Sequence, residues 1–174
     1  HPDAGIAELE IVLKSARNMS NLINDLLDIS AIESGKIRLN LMPSDLNAIL
    51  QDCASVHRKA SQMKNIELEI VPNPDLPAVM ADRNRIAEVI DNLVSNAIKY
   101  TFPGGKVRVS AEAQKPFVVV HVEDTGQGLD ENDLKEMFVS FKKLSTRPTG
   151  GESSTGLGLA IVKKIVEVHG GQIK

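Results

Sequence analysis

The chain has 174 residues, 42% hydrophobic and 25% charged, which suits a soluble globular protein of one domain plus an appendage. A net charge of −3, no Trp and a single Tyr argue against nucleic acid as a partner, since neither a basic face nor a base-stacking surface can be assembled. Cys53 is the only cysteine, so an internal disulfide is excluded and a reducing, cytoplasmic setting is expected. No run approaches the roughly 18 apolar residues of a membrane span, so any membrane attachment would lie in other parts of a longer parent.

Residues from about Leu9 to Glu33 predict one long amphipathic helix. Val12, Ala16, Met19, Ile23 and Leu26 repeat at heptad-like spacing, and Leu22, Leu27, Ile29 and Ile32 widen the seam beyond what a lone surface helix needs. A second helix or a second copy of the chain is the expected partner. Ser34-Gly35 ends it, with Gly35 suited to a left-handed cap.

Ile37, Leu39 and Leu41 alternate with polar residues and predict a short strand. Pro43-Ser44-Asp45 punctuates the chain before a helix with Leu46, Ile49, Leu50, Cys53 and Val56 on its buried face. Strands are expected over Ile66 to Val71 and over Ala78-Val79-Met80. Asp82 caps a strong helix to about Lys99. Lys106 to Ala113 and Phe117 to Glu123 predict a hairpin, and Glu131 to Phe138 a short helix. A Gly-, Ser- and Thr-rich loop follows from Lys142 to Thr155, then a helix from near Gly156 to Gly170-Gly171. The expected class is α+β: a mixed, mostly antiparallel sheet with helices on one face, preceded by a long helix.

Three stretches carry chemistry. On the helix after Asp82, Glu88, Asn92 and Asn96 recur every four residues, with Lys99 one turn on, away from the apolar stripe of Ile86, Val89, Ile90, Leu93, Val94 and Ala97. An Asn oxygen suits Mg²⁺, and an ammonium suits phosphate. The strand Val118 to Val122 feeds Asp124-Thr125-Gly126-Gln127-Gly128, which places a carboxylate at the rim of the core. A buried acid there can accept a hydrogen bond from an exocyclic amine such as that of adenine. Thr155-Gly156-Leu157-Gly158 opens a helix whose free N–H groups suit phosphate, and the preceding loop, with Lys142, Lys143 and Arg147, reads as a flexible lid. No Gly-Lys-Ser/Thr sequence follows the phosphate-loop pattern, and no G-x-G-x-x-G pattern follows a strand. For His57, His121 and His169 no paired ligand spacing points to metal, and a structural role is expected.

These stretches, in this order, resemble the histidine kinase branch of the ATPase superfamily that includes gyrases, related chaperones and mismatch-repair ATPases. Asp82 to Thr101 resembles the N box, Asp124 to Gly128 the first glycine box, Met137 to Phe141 the F box, and Thr155 to Leu159 the second glycine box. Leu22 to Lys36 is similar to the end of the second dimerisation helix. The resemblance implies a Bergerat-type, two-layer ATP-binding fold at 37–174, and at 1–36 the C-terminal helix of a dimerisation and phosphotransfer region.

It further implies ATP and Mg²⁺ as cofactors. Asn96 would coordinate the metal, with Asn92 assisting. Lys99 and Tyr100 would contact phosphate and nucleotide, and Asp124 would recognise the adenine amine. Gly126 and Gly128 would shape its pocket. Thr155, Gly156, Leu157 and Gly158 would hold phosphates, and Lys142 or Lys143 would reach the γ-phosphate. Gyrase-type ATPases carry Glu where this chain has Asn92, so phosphoryl transfer to a protein histidine is expected rather than rapid hydrolysis. A homodimer and a response regulator are the implied partners.

The family's acceptor box, a His followed by an acidic residue and an Arg-Thr-Pro run, is absent, and with it the general base, so no catalytic side chain is expected in this stretch. Family members continue past Gly171-Gln172-Ile173-Lys174 through further strands. A truncated catalytic domain is therefore expected, binding nucleotide more weakly than a complete one and unable to autophosphorylate alone. Two other readings share parts of the pattern: a non-catalytic, dimeric, nucleotide-responsive module, and a serine kinase of the anti-sigma-factor type.

Overall fold

In the computed structural model, the described residues are 38–142, 144–152 and 154–174, with helical positions among residues 8–30. The chain divides into two compact units, His1–Ile37 and Arg38–Lys174. In the first, every described residue is helical, and Leu9, Val12, Met19, Ile23 and Leu26 of the apolar seam are exposed. The Ser34-Gly35 cap lies outside the described residues.

The second unit runs β1 (Met42–Ser44), α1 (Leu46–Met63), β2 (Glu67–Val71), β3 (Val79–Ala81), α2 (Arg83–Tyr100), β4 (Lys106–Gln114), β5 (Phe117–Asp124), α3 (Glu131–Glu136) and α4 (Gly158–Val168). Strands β2, β4 and β5 form one sheet, β2 parallel and β5 antiparallel to the central β4. β1 and β3 make a separate antiparallel pair. The fold is α+β with a mixed sheet, as the sequence leads one to expect.

The first strand is shifted from its expected place. Residues 38–41 are not in a strand, and pairing begins at Met42, because β1 is defined by its register with β3, Met42 opposite Ala81 and Ser44 opposite Val79. Pro43 is tolerated because a two-stranded ribbon has only edges.

Alternation explains the sheet. Val107, Val109 and Ala111 of β4 are buried, and across the hairpin Val122 and Val120 lie beside Val109 and Ala111 on the same face. That face packs on Ile49, Leu50 and Cys53 of α1 and on Ile90, Val94 and Ala97 of α2. Both helices start on an aspartate: Asp45 accepts the Ala48 N–H at 3.3 Å, and Asp82 accepts those of Asn84 and Arg85 at 3.1 and 3.3 Å. The Asn40 N–H, 3.0 Å from the Asp82 carboxylate, is the main cause holding that acid below the usual range. α4 lays Ile161, Val162 and Ile165 into the interior, and its C-terminal His169 accepts the Asp82 N–H at Nε2 (3.2 Å) while Nδ1 bonds the Ile165 carbonyl (2.8 Å). His169 thus ties the end of α4 to the start of α2, a structural role. α2 thus packs against α1, α4 and the sheet, and the chemistry-bearing residues are strung along it.

Candidate functional site at the exposed flank of helix α2

From Asn92 to Tyr100 the axis of α2 rises about 12 Å, eight residues at ~1.5 Å each. At the first end Asn92 Nδ2 donates to the Glu88 carbonyl (3.0 Å), which turns its Oδ1 towards α4. A Cβ placed on Gly158 would lie 2.7 Å from that oxygen, so only glycine lets the start of α4 come this close. The helix begins at Gly158 rather than Gly156, because Gly156 has φ +72° and turns the chain before Leu157, the cap residue. No side chain caps α4, and its first intrahelical bond runs from Ile161 N–H to the Leu157 carbonyl (3.0 Å). The N–H groups of Gly158, Leu159 and Ala160 are therefore free of helical partners and aim their partial positive charge outward. One turn along α2, the half-buried Asn96 carboxamide bonds no described residue, and Lys99 follows.

At the second end, Asp124 closes β5 opposite Val107, and its Oδ1 accepts the Gly126 N–H at 2.8 Å. Gly126 is pressed against the last turn of α2: a Cβ there would meet the Tyr100 carbonyl oxygen at 2.6 Å. Gly128, φ +69°, has open space around its α-carbon. Asp124 is exposed rather than buried, which corrects the sequence expectation. It is the last residue of an edge strand.

The loop expected to be flexible is pinned at four places. Asp133, buried at the start of α3, accepts the Ser145 N–H (2.9 Å) and hydroxyl (2.5 Å). The Ser145 hydroxyl is the leading cause holding this acid below the usual carboxylate range. Gln127 Nε2 donates to the Arg147 carbonyl (2.6 Å). Thr149 donates its N–H and hydroxyl to the Lys99 carbonyl (2.9 and 3.1 Å), and its hydroxyl also reaches the Thr101 carbonyl (2.7 Å). Lys64, from the end of α1, places its largely buried ammonium 2.8 and 2.7 Å from the Ile98 and Lys99 carbonyls and 2.9 Å from Glu152. Burial raises the Glu152 pKa, but the bonds from Lys64 and the Gly150 N–H outweigh it and leave the acid lowered. The last carbonyls of α2 are thus satisfied by a lysine and a threonine remote in sequence.

Of the expected site residues, Asn92, Gly158, Leu157, Gly156 and Thr155 meet at one end, and Asp124, Gly126 and Tyr100 at the other, with Asn96 and Lys99 between. Lys142 is directed elsewhere: its ammonium pairs with Glu136 at 2.9 Å. Lys143 lies outside the described residues. Phe141, expected at helical spacing with Met137 and Phe138, stands outside the helix with φ +62° and is exposed, while Phe138 carries the Lys163 ammonium 5.6 Å from its ring centre. Sequence reasoning missed Lys64, Thr149, Glu152 and Asp133, whose partners lie 12 to 88 residues away. His57, for which a structural role is expected, has its Nε2 2.6 Å from Asp91.

Residues 81–174, which hold every expected nucleotide-site residue, match the family model described as histidine kinase-, DNA gyrase B-, and HSP90-like ATPase. The chain belongs to that ATPase family. Its relatives include hybrid signal transduction histidine kinase D of Dictyostelium discoideum, 36% identical over 172 residues, which are 95% of this chain and 11% of that protein. Among solved structures, the ATPase is similar to full-length ShkA in complex with AMPPNP, with TM-score 0.78 and 30% identity over 90% of this chain and 32% of the other. It is similar also to the histidine kinase ThkA in complex with the response regulator protein TrrA, with TM-score 0.67 and 25% identity over 90% of this chain and 43% of the other. The chain therefore spans a small part of the length of such relatives. No helix among the described residues is long and apolar enough to cross a membrane.

Proposed function

We propose that the chain is the ATP-binding catalytic part of a sensor histidine kinase, which holds MgATP along α2 for transfer of the γ-phosphoryl group to a protein histidine. The observation that carries the reading is the approach of the Asn92 carboxamide to Gly158 at the uncapped start of α4. An amide oxygen and a set of free N–H groups suit a metal-bound polyphosphate. Asp124 and the glycines 126 and 128, about 12 Å along the helix, would take the adenine, its amine donating to the carboxylate. Thr155 to Gly158 would hold phosphate oxygens, Tyr100 would contact the nucleotide, and Lys99 would neutralise phosphate charge. Lys142 or Lys143 would reach the γ-phosphate, Lys142 after leaving Glu136.

The donor set fits Mg²⁺. The metal favours oxygen ligands with phosphates and waters completing its shell, and Asn96 offers an amide oxygen that no described residue occupies. When bound, the metal supplies charge neutralisation. The chain's own part is orientation, with the phosphates fixed by the α4 N–H groups and the base by Asp124.

In the intact protein the exposed seam of Leu9, Val12, Met19, Ile23 and Leu26 would pair with a second copy, and a response regulator would take the phosphoryl group from the acceptor histidine. The same seam serves a non-catalytic dimeric module equally well. As a user of cellular ATP, the domain would work in the cytoplasm. The test is a set of titrations with an ATP analogue, with and without Mg²⁺, on the wild type and Asn96→Ala. The proposal expects Mg²⁺ to strengthen binding in the wild type and not in the variant. An unchanged Mg²⁺ effect in Asn96→Ala would overturn the metal assignment.

A further inference from the structure

Next to the nucleotide-facing stripe of α2, α1 and α2 face each other across a surface groove of about 470 Å³, whose walls include Cys53, Asp91, Asp52, Arg83 and Glu88. Cys53 and His57 are four residues apart on α1 and so share one face of the helix. Asp91 meets them from α2. The Cys53 thiol, a His57 ring nitrogen and an Asp91 carboxylate oxygen all lie within 4.8 Å of one another. Sulfur, imidazole and carboxylate, converging from two helices, make an unusual set for a groove with no other described role.

We propose that Cys53, His57 and Asp91 form a binding site for a zinc-class divalent metal. Bond lengths of about 2.0–2.3 Å around a tetrahedral ion set its ligand atoms roughly 3.3–3.8 Å apart. The three ligand atoms already lie within 4.8 Å of one another, and binding would require the His57–Asp91 contact to open from its present 2.6 Å. Cys53 is fixed by burial in the core, His57 is half-buried beside it, and Asp91 is the exposed member through which an ion would enter from the groove. Asp52 and Glu88 are engaged with Arg83 and Arg85, at 2.6 and 2.8 Å, which leaves the fourth position to water.

A thiolate and an imidazole select a borderline-soft ion over Mg²⁺, so the site is chemically separate from the proposed nucleotide site. On binding, the Cys53 Sγ–H proton passes to solvent and the sulfur–metal bond takes its place. The thiolate and carboxylate then cancel the two charges of the ion. Because Asp91 directly precedes Asn92, the metal would staple α1 to the helix that carries the phosphate-facing carboxamides. The inference does not depend on the proposed nucleotide role, since its test contains no nucleotide.

The experiment is a titration of the metal-free, reduced chain with Co²⁺, read as the near-ultraviolet thiolate-to-cobalt charge-transfer band and the visible band of tetrahedral cobalt, then displaced with Zn²⁺. One equivalent should develop both bands, and Zn²⁺ should abolish them. Cys53→Ser should lose the charge-transfer band. His57→Gln and Asp91→Asn, whose side chains are not deep in the core, should weaken Co²⁺ by about tenfold or more, the scale seen even for outer-shell partners. Zn²⁺ should also raise the melting temperature of the wild type and not of Cys53→Ser. Absence of a charge-transfer band in the folded wild type would overturn the proposal. So would Co²⁺ affinity unchanged in both His57→Gln and Asp91→Asn, a result that stands even if Cys53→Ser fails to fold.

Discussion

Asn92 Oδ1 faces the α-carbon of Gly158 so closely that a single added methyl carbon would sit 2.7 Å from it. This contact joins the helix that carries the carboxamides to the helix whose free N–H groups would hold phosphate in the proposed site, and it makes the two glycines of Gly156-Leu157-Gly158 different in kind. Gly156 is needed for its left-handed backbone, and Gly158 for lack of a side chain.

Gly158→Ala should therefore separate binding from folding. The obstructed atom is the end of a side chain that can rotate away at the cost of its bond to Glu88, about 1 kcal/mol. The melting temperature should fall by a few degrees. Affinity for an ATP analogue should fall by about tenfold or more, because the carboxamide leaves its place. Calorimetric titration beside thermal melting checks this.

Gly126→Ala should do the reverse. Its Cβ would meet the Tyr100 carbonyl at 2.6 Å, a backbone atom that cannot swing aside. A loss of about 1–3 kcal/mol in folding stability is expected, measured by urea unfolding, whether or not nucleotide is present.

Lys64→Met tests the stitch across the end of α2. It removes the donor of three bonds, to the Ile98 and Lys99 carbonyls and to Glu152; the Lys99 carbonyl keeps Thr149, but the Ile98 carbonyl and Glu152 lose their lysine partner. A loss of about 2–4 kcal/mol is expected. Residues 142–155 should exchange amide hydrogens faster, which deuterium exchange resolves segment by segment. Glu152→Gln, which keeps the helix carbonyls bonded to Lys64, should loosen the loop and cost less.

Much of this is legible in the sequence because it is local. The Asp82 cap, the apolar stripe of α2 and the alternation of β4 and β5 each need only a window of neighbours, and they appear within a residue or two of where they were expected. β1 slipped because residues 37–41 alternate as well as any strand, while pairing was decided by Val79–Ala81, some 37 residues on. The loop after Lys142 has the composition of a free segment. Its order comes from Asp133, Lys99 and Lys64, and nothing within the loop announces them. Asp124 was placed at the right strand end, but its exposure depends on what covers the edge of β5, which no local pattern encodes. Cys53 and His57 do not read as a ligand pair in the sequence, because Asp91 joins them only through the packing of α1 on α2.

Acid should release the loop. The Asp133 pKa is lowered in the folded chain, so the stability it contributes is fully present above its unfolded value of about 3.9. That contribution disappears as pH falls through the lower folded value. Protection of residues 145–149 should thus persist through the weakly acid range and fade below about pH 4, and Ser145→Ala should move the loss to higher pH. Deuterium exchange against pH is the measurement.

The central claim is that α2 presents one nucleotide site, base at Asp124 and phosphates at Asn92, Asn96 and the start of α4. The most direct test is calorimetric titration of the wild type and Asp124→Asn with ADP and a non-hydrolysable ATP analogue, with and without Mg²⁺. Saturable one-to-one binding, strengthened by Mg²⁺ and reduced at least about tenfold in Asp124→Asn, is the expected result, since the amide can turn an NH₂ group towards the adenine amine. Binding that is indifferent to Mg²⁺ and unchanged in Asp124→Asn would contradict the account.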